Sequence, residues 1–188
     1  WAQAELGLDA EESTVELTTL WRQGTHGRTF DQWLTSHGLP ADPWVQRLVE
    51  VYRGHRPTLV PYPGIPELLD RLAQKVRLGL VSDGYLGVQR LKLEALGLAP
   101  RFAAVVFSDE GGREAWKPSP WPYLRVLHML ACPPDRAVYV GDNPLKDFYG
   151  AREVGMGTLC LRREGGVYSA EQPPSPAHAP DAQATDLA

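Results

Sequence analysis

The chain has 188 residues, of which 43% are hydrophobic, enough for one domain with a small insert and a real core. A formal net charge of −4 and a pI near 5.7 give no basic field for gripping a phosphodiester backbone, which argues against a nucleic-acid partner. Two cysteines, Cys132 and Cys160, make neither a disulfide framework nor a Cys-x-x-Cys knuckle, no apolar run approaches the roughly 20 residues of a membrane span, and nothing reads as a signal peptide, so a cytoplasmic protein with no membrane partner is expected.

The sequence opens Trp1-Ala2-Gln3-Ala4 rather than with methionine, and its true start is expected to lie elsewhere; Trp1, Leu6 and Gly7 read as the last turns of a helix already under way. Residues 1–57 are helical in pattern throughout. Thr29 is placed to cap a short helix through Phe30, Trp33 and Leu34 that stops at Gly38, and Asp42-Pro43 to cap the next, whose apolar stripe is Val45, Leu48, Val49 and Tyr52. The tryptophans here read as core packing. Arg28, His26 and His37 read as loop residues, and the five histidines show no metal-ligand spacing.

From Pro61 strands alternate with helices, the pattern of a parallel sheet covered on both faces. A helix begins at Pro66 with Leu68, Leu69 and Leu72 inward. Strands are expected over 76–81, 104–107, 137–140 and 158–161, with helices over 86–96, 120–131 and 144–154 between them. Residues 168–188 are rich in Pro and Ala with hardly any apolar anchors, and a disordered tail is expected.

In such a sheet ligands bind at the carboxyl ends of the strands, and three of the four ends carry polar residues. The first finishes Ser82-Asp83-Gly84, a hydroxyl and backbone N–H groups at a helix start, where an anion is stabilised; alone, this reads rather as a polar turn capping the next helix. After the second strand comes Lys117, fixed on a turn by Pro118 and able to hold a phosphoryl group or offset carboxylates; alone, it reads rather as a solvated surface lysine. The third leads into Gly141-Asp142-Asn143-Pro144-Leu145-Lys146-Asp147. Asn143 can cap the helix, but two aspartates crowded at a buried strand's mouth are costly unless a cation offsets them, and Asp142 and Asp147 are the expected magnesium ligands.

In this order, these pieces resemble the haloacid dehalogenase superfamily, of the capped subfamily I type, over residues 1 to roughly 163. Pro61-Tyr62-Pro63-Gly64 and Gly150-Ala151-Arg152-Glu153-Val154-Gly155-Met156 also look like that family. The resemblance implies an α/β fold: a Rossmann-like core over 58–167 and a small helical cap over 1–57 that sets substrate choice. It implies Ser82 as the second motif, Lys117 as the third, and Asp142 with Asp147 as the fourth. Ser82, Asp83, Gly84 and Lys117 would clamp the phosphate of a small phosphorylated metabolite, and Mg2+ would sit on Asp142 and Asp147. The implied activity is phosphatase chemistry through an aspartyl-phosphate. A haloacid dehalogenase or phosphomutase shares that machinery, and a non-catalytic phosphate-binding or regulatory module is a further alternative.

The family's first motif, Asp-x-Asp-x-(Thr/Val) at the tip of a strand before the cap, has no match upstream of Ser82. Asp9, Asp31 and Asp42 follow no buried strand. The expectation is a fragment that lacks the nucleophile and the central strand carrying it, with a split sheet and no activity in residues 1–188 alone.

Overall fold

A computed structural model describes residues 1–25 and 27–186. They fall into two compact units, Trp1–His55 and Arg56–Ala188, so the division comes slightly before the expected boundary after residue 57.

The first unit is all helix: α1 (Ala2–Leu6), α2 (Ala10–Arg22), α3 (Thr29–Ser36) and α4 (Trp44–Gly54). Gly7 closes α1 with a φ of 69°, and the Asp9 carboxylate starts α2 by accepting from the N–H groups of Glu11 and Glu12 at 2.9 and 3.0 Å. Two expected caps are corrected. Thr29 is the first residue inside α3, and its hydroxyl turns back to the Thr25 carbonyl. Asp42 makes no capping bond; the residue before α4 is Pro43. Trp33 and Leu34 are fully buried with Leu48, and Trp1 and Trp44 meet edge to face at 6.0 Å beside them. Burying side chains of this size contributes roughly 1.5–3 kcal/mol each. Trp21, by contrast, is 47% exposed and lies outside this core. The Glu16 carboxylate accepts from Trp33 Nε1 at 2.8 Å and lies 2.7 Å from His37 Nε2, so the buried indole N–H is satisfied.

The second unit is α/β. Its elements are α5 (Ile65–Ala73), β1 (Gly79–Ser82), α6 (Leu86–Leu96), β2 (Ala104–Phe107), α7 (Trp121–Met129), β3 (Val138–Gly141), α8 (Tyr149–Glu153), β4 (Gly157–Leu161) and β5 (Ala182–Ala184). β1 starts later than expected because the N–H groups of Lys75 and Val76 still bond the Leu72 carbonyl, finishing α5. α8 is shorter than the expected 144–154 helix, since residues 143–147 form a turn in which the N–H groups of Lys146 and Asp147 bond the Asn143 carbonyl.

Every strand pair is parallel, and the strands form two sheets: β1 with β2, and β3-β4-β5. Among the described residues no strand joins β1 to β3, which is the expected split. Both of those strands keep an open edge, and Val138 and Val140, on one face of β3, are 65% and 44% exposed. α7 serves both sheets. Val126 packs with Ala104 and Val106 against β1 and β2, while Tyr123 and Leu127 pack with Ala151, Met156 and Tyr139 on the β3 side. Gly79 permits the first contact, because a Cβ there would lie 2.7 Å from Val126 Cγ2.

The tail expected to be disordered carries a paired strand among its described residues. β5 pairs along β4, and Asp181 clamps it: its carboxylate accepts from Thr158 N and Oγ1 at 2.8 and 2.7 Å and pairs with Arg152. Tyr149 stacks on His178 at 4.9 Å. The anchors are polar and aromatic rather than aliphatic.

Candidate active site

Ser82 ends β1, and the chain turns through Asp83 and Gly84, whose φ of 124° suits glycine alone, into α6. The first N–H of α6, on Leu86, is capped from outside: Asp109 accepts it at 2.9 Å and holds Trp116 Nε1 at 2.8 Å with its other oxygen. The turn after β1 is thereby tied to the loop that delivers Lys117.

Asp83 is more than a backbone contributor. Its side chain is 5% exposed and accepts from Ser108 Oγ at 2.7 Å, Lys117 N at 2.9 Å and Lys146 Nζ at 2.6 Å. Burial pushes its pKa up, but the bonds from Lys146, Ser108 and the Lys117 N–H outweigh that and hold it below the ordinary aspartate value.

Lys117 turns inward. Its side chain is 8% exposed, and Nζ donates to Asp147 Oδ1 at 2.6 Å and to the Tyr139 hydroxyl at 3.1 Å. Burial works to discharge the ammonium, but Tyr139 and Asp147 prevail and hold it above the usual lysine range. Asp147 is equally buried: Oδ2 accepts from Asn143 N at 2.9 Å and Asp142 N at 3.2 Å, and its carbonyl takes the Tyr123 hydroxyl at 2.6 Å. Gly141 makes room for this carboxylate, since a Cβ there would lie 2.7 Å from Oδ2. Gly150 does the same for the lysine turn, where a Cβ would lie 2.4 Å from the Pro118 carbonyl.

Asp142 alone stays exposed, with no ammonium in ion-pair range among the described residues. Partial burial, and then the charge of Asp147, raise its pKa. An exposed carboxylate repelled by a buried neighbour is a ready ligand for a hard cation. Among the described residues no three His, Cys, Asp or Glu side chains converge as a metal site, so these two aspartates form an incomplete set.

The six sequence candidates therefore gather in two linked groups. Ser82, Asp83 and Gly84 lie on the β1 side, Asp142 and Asp147 on the β3 side, and Lys117 bonds to both, through its N–H to Asp83 and its ammonium to Asp147. Sequence reasoning missed Lys146, Tyr139, Tyr123 and Gln89. Lys146 stands inside the 141–147 stretch and was legible as a second cation; nothing local marks the other three. His37 belongs to the Glu16 cluster of the helical unit, and His26 lies outside the described residues.

Parallel strands whose carboxyl ends carry a buried lysine–aspartate pair, an exposed aspartate and a serine turn define a class: the chain belongs to the haloacid dehalogenase-like hydrolase family, the match running over residues 25–161. It is 35% identical over 185 residues to the glyceraldehyde 3-phosphate phosphatase of Methanopyrus kandleri, which covers 96% of this chain and 78% of that one. It is 36% identical over 130 residues to the phosphoserine phosphatase of Thermus thermophilus, 67% of this chain but only 49% of the relative. The crystal structure of a HAD phosphatase from Thermococcus onnurineus aligns with a TM-score of 0.56 at 26% identity, over 96% of this chain and 79% of that one. The HAD-hydrolase YfnB from Bacillus subtilis, solved bound to magnesium, shares the fold at a TM-score of 0.64 and 20% identity, over 94% and 79% of the two chains.

Proposed function

We propose that the chain forms the body of a magnesium-dependent phosphatase acting on a small phosphomonoester. The observation that carries this reading is the buried Lys117–Asp147 pair set beside the exposed, cation-seeking Asp142. Ser82 and the N–H groups of Asp83 and Gly84 receive the phosphoryl oxygens, and Lys117, kept charged by Asp147 and Tyr139, supplies a fixed positive charge. Magnesium, held by Asp142 and Asp147, would neutralise charge on the transferring group. Asp83 and Lys146 hold the Ser82 turn and the Asp142 turn to each other. Residues 1–55 act as the cap in this reading. The nucleophilic aspartate comes from a strand outside residues 1–188, since no Asp-x-Asp precedes Ser82, and these residues alone do not turn over.

The relatives' substrates differ, so glyceraldehyde 3-phosphate, phosphoserine and phosphoglycolate head the panel to be tried. Phosphate release is measured with magnesium and with chelator, for residues 1–188 and for a version extended at its N-terminus by its own reading frame through an Asp-x-Asp-x-(Thr/Val) strand. Release by the longer protein in magnesium only is expected. No release from any panel member overturns the reading, and release by residues 1–188 overturns the placement of the nucleophile. A cytoplasmic setting is part of the proposal: Cys132 and Cys160 are both free, and among the described residues no helix is long and apolar enough to cross a membrane.

A further inference from the structure

The Ser82 hydroxyl has one proton, and it is given away. Ser82 Oγ donates to Gln89 Oε1 at 3.0 Å. Gln89 sits in the first turn of α6, and the other end of its amide lies under the loop: a Cβ at Gly84 would be 3.0 Å from Gln89 Nε2. The amide therefore spans the hydroxyl and the glycine of the Ser82-Asp83-Gly84 turn.

The dianion of a phosphomonoester accepts hydrogen bonds and offers none, so a serine that binds it must direct its proton to a phosphoryl oxygen. With Gln89 Oε1 as its acceptor, Ser82 presents only lone pairs to an anion. A carboxamide is suited to reverse this, because a half-turn about its broad terminal torsion exchanges acceptor for donor without changing shape. Nε2 then donates to Ser82 Oγ and the serine proton is released toward the anion.

We infer that Gln89 is a positioning residue that sets the proton direction of Ser82, holding it toward Oε1 and releasing it when a phosphoryl group arrives. The inference rests on the reading of Ser82 as a phosphate ligand and adds a residue acting through it.

The test is a double-mutant cycle on residues 1–188, with phosphoserine and phosphoglycolate at about pH 8, where each phosphate group is a dianion without a proton, as the titrants, read by calorimetry at fixed ionic strength, and with thermal melts to confirm folding. Gln89→Glu keeps the size but can only accept, so it retains the serine proton; Gln89→Met removes the bond and leaves the proton free. Affinity is expected to fall about tenfold or more for Gln89→Glu, as for loss of a hydrogen bond to a charged group, and only slightly for Gln89→Met. In a Ser82→Ala background the Gln89→Glu effect should shrink to the small residue that its charge alone produces. If Gln89→Glu costs the same with Ser82 present or absent, Gln89 acts by charge or packing and the inference falls while the phosphatase reading stands. If wild-type residues 1–188 bind neither titrant, the Ser82 cradle falls and the inference falls with it.

Discussion

The helical unit and the α/β unit solve the burial problem in opposite ways. In the first, Trp33, Leu34 and Leu48 supply an apolar centre, and its polar bonds run from the Trp33 N–H and His37 to a half-exposed Glu16. In the second, the core under α7 is apolar, but the strand ends bury two carboxylates and an ammonium, each with several partners. Burying charge costs far more than burying leucine, and a fold keeps it where chemistry uses it. The contrast concentrates buried charge in the second unit and apolar packing in the first.

The difference breaks most sharply at Lys117. Replacing it by methionine leaves Asp147 buried without its ammonium, and a loss of about 4 kcal/mol is expected from urea unfolding, as for other broken buried pairs, together with loss of phosphate binding. Leu34→Ala in the helical unit removes fully buried apolar volume and should cost about 3 kcal/mol while leaving the phosphate affinity of the α/β unit unchanged. If Leu34→Ala abolished phosphate binding, the division of labour drawn above would be wrong.

The smallest effect belongs to the polar clamp on β5. Bonds from Thr158, helped by the charge of Arg152, hold the Asp181 carboxyl below its ordinary value against the opposing push of burial. A depressed folded pKa contributes stability that is present above the ordinary carboxylate range and disappears as pH falls through the folded value. Protection of the residue 182–184 amides against exchange, relative to the intrinsic rate at each pH, should therefore fall on acidification below about pH 4, the unperturbed aspartate range, while α7 stays protected. Unchanged protection of β5 at acid pH would show that its pairing with β4 suffices without Asp181.

The sequence made the strand ends visible because their chemistry is local. Ser82 and Asp142 each end an apolar run, Lys117 stands before Pro118 and Asp147 shares a short polar stretch with Asp142, and the structure bonds Lys117 to Asp147 as one buried pair. Asp83 was read only through its backbone, since its pairing with Lys146 spans 63 positions of the chain and no local pattern joins the two. β5 was missed for a different reason. Ala182–Ala184 has no β-branched or aromatic residue, and its place is fixed by Asp181 and by the free edge of β4 rather than by its own propensity. Thr29 and Asp42 had the composition of caps without the role, because cap identity depends on where the first helical turn closes.

Gly150 carries no charge and touches no ligand, yet a single methyl group there would meet the Pro118 carbonyl beside Lys117. In a mutational library, position 150 should be as intolerant as the lysine itself. A designer recoding α8 for expression or solubility has to leave this one residue alone, because the lysine turn is built against its missing side chain.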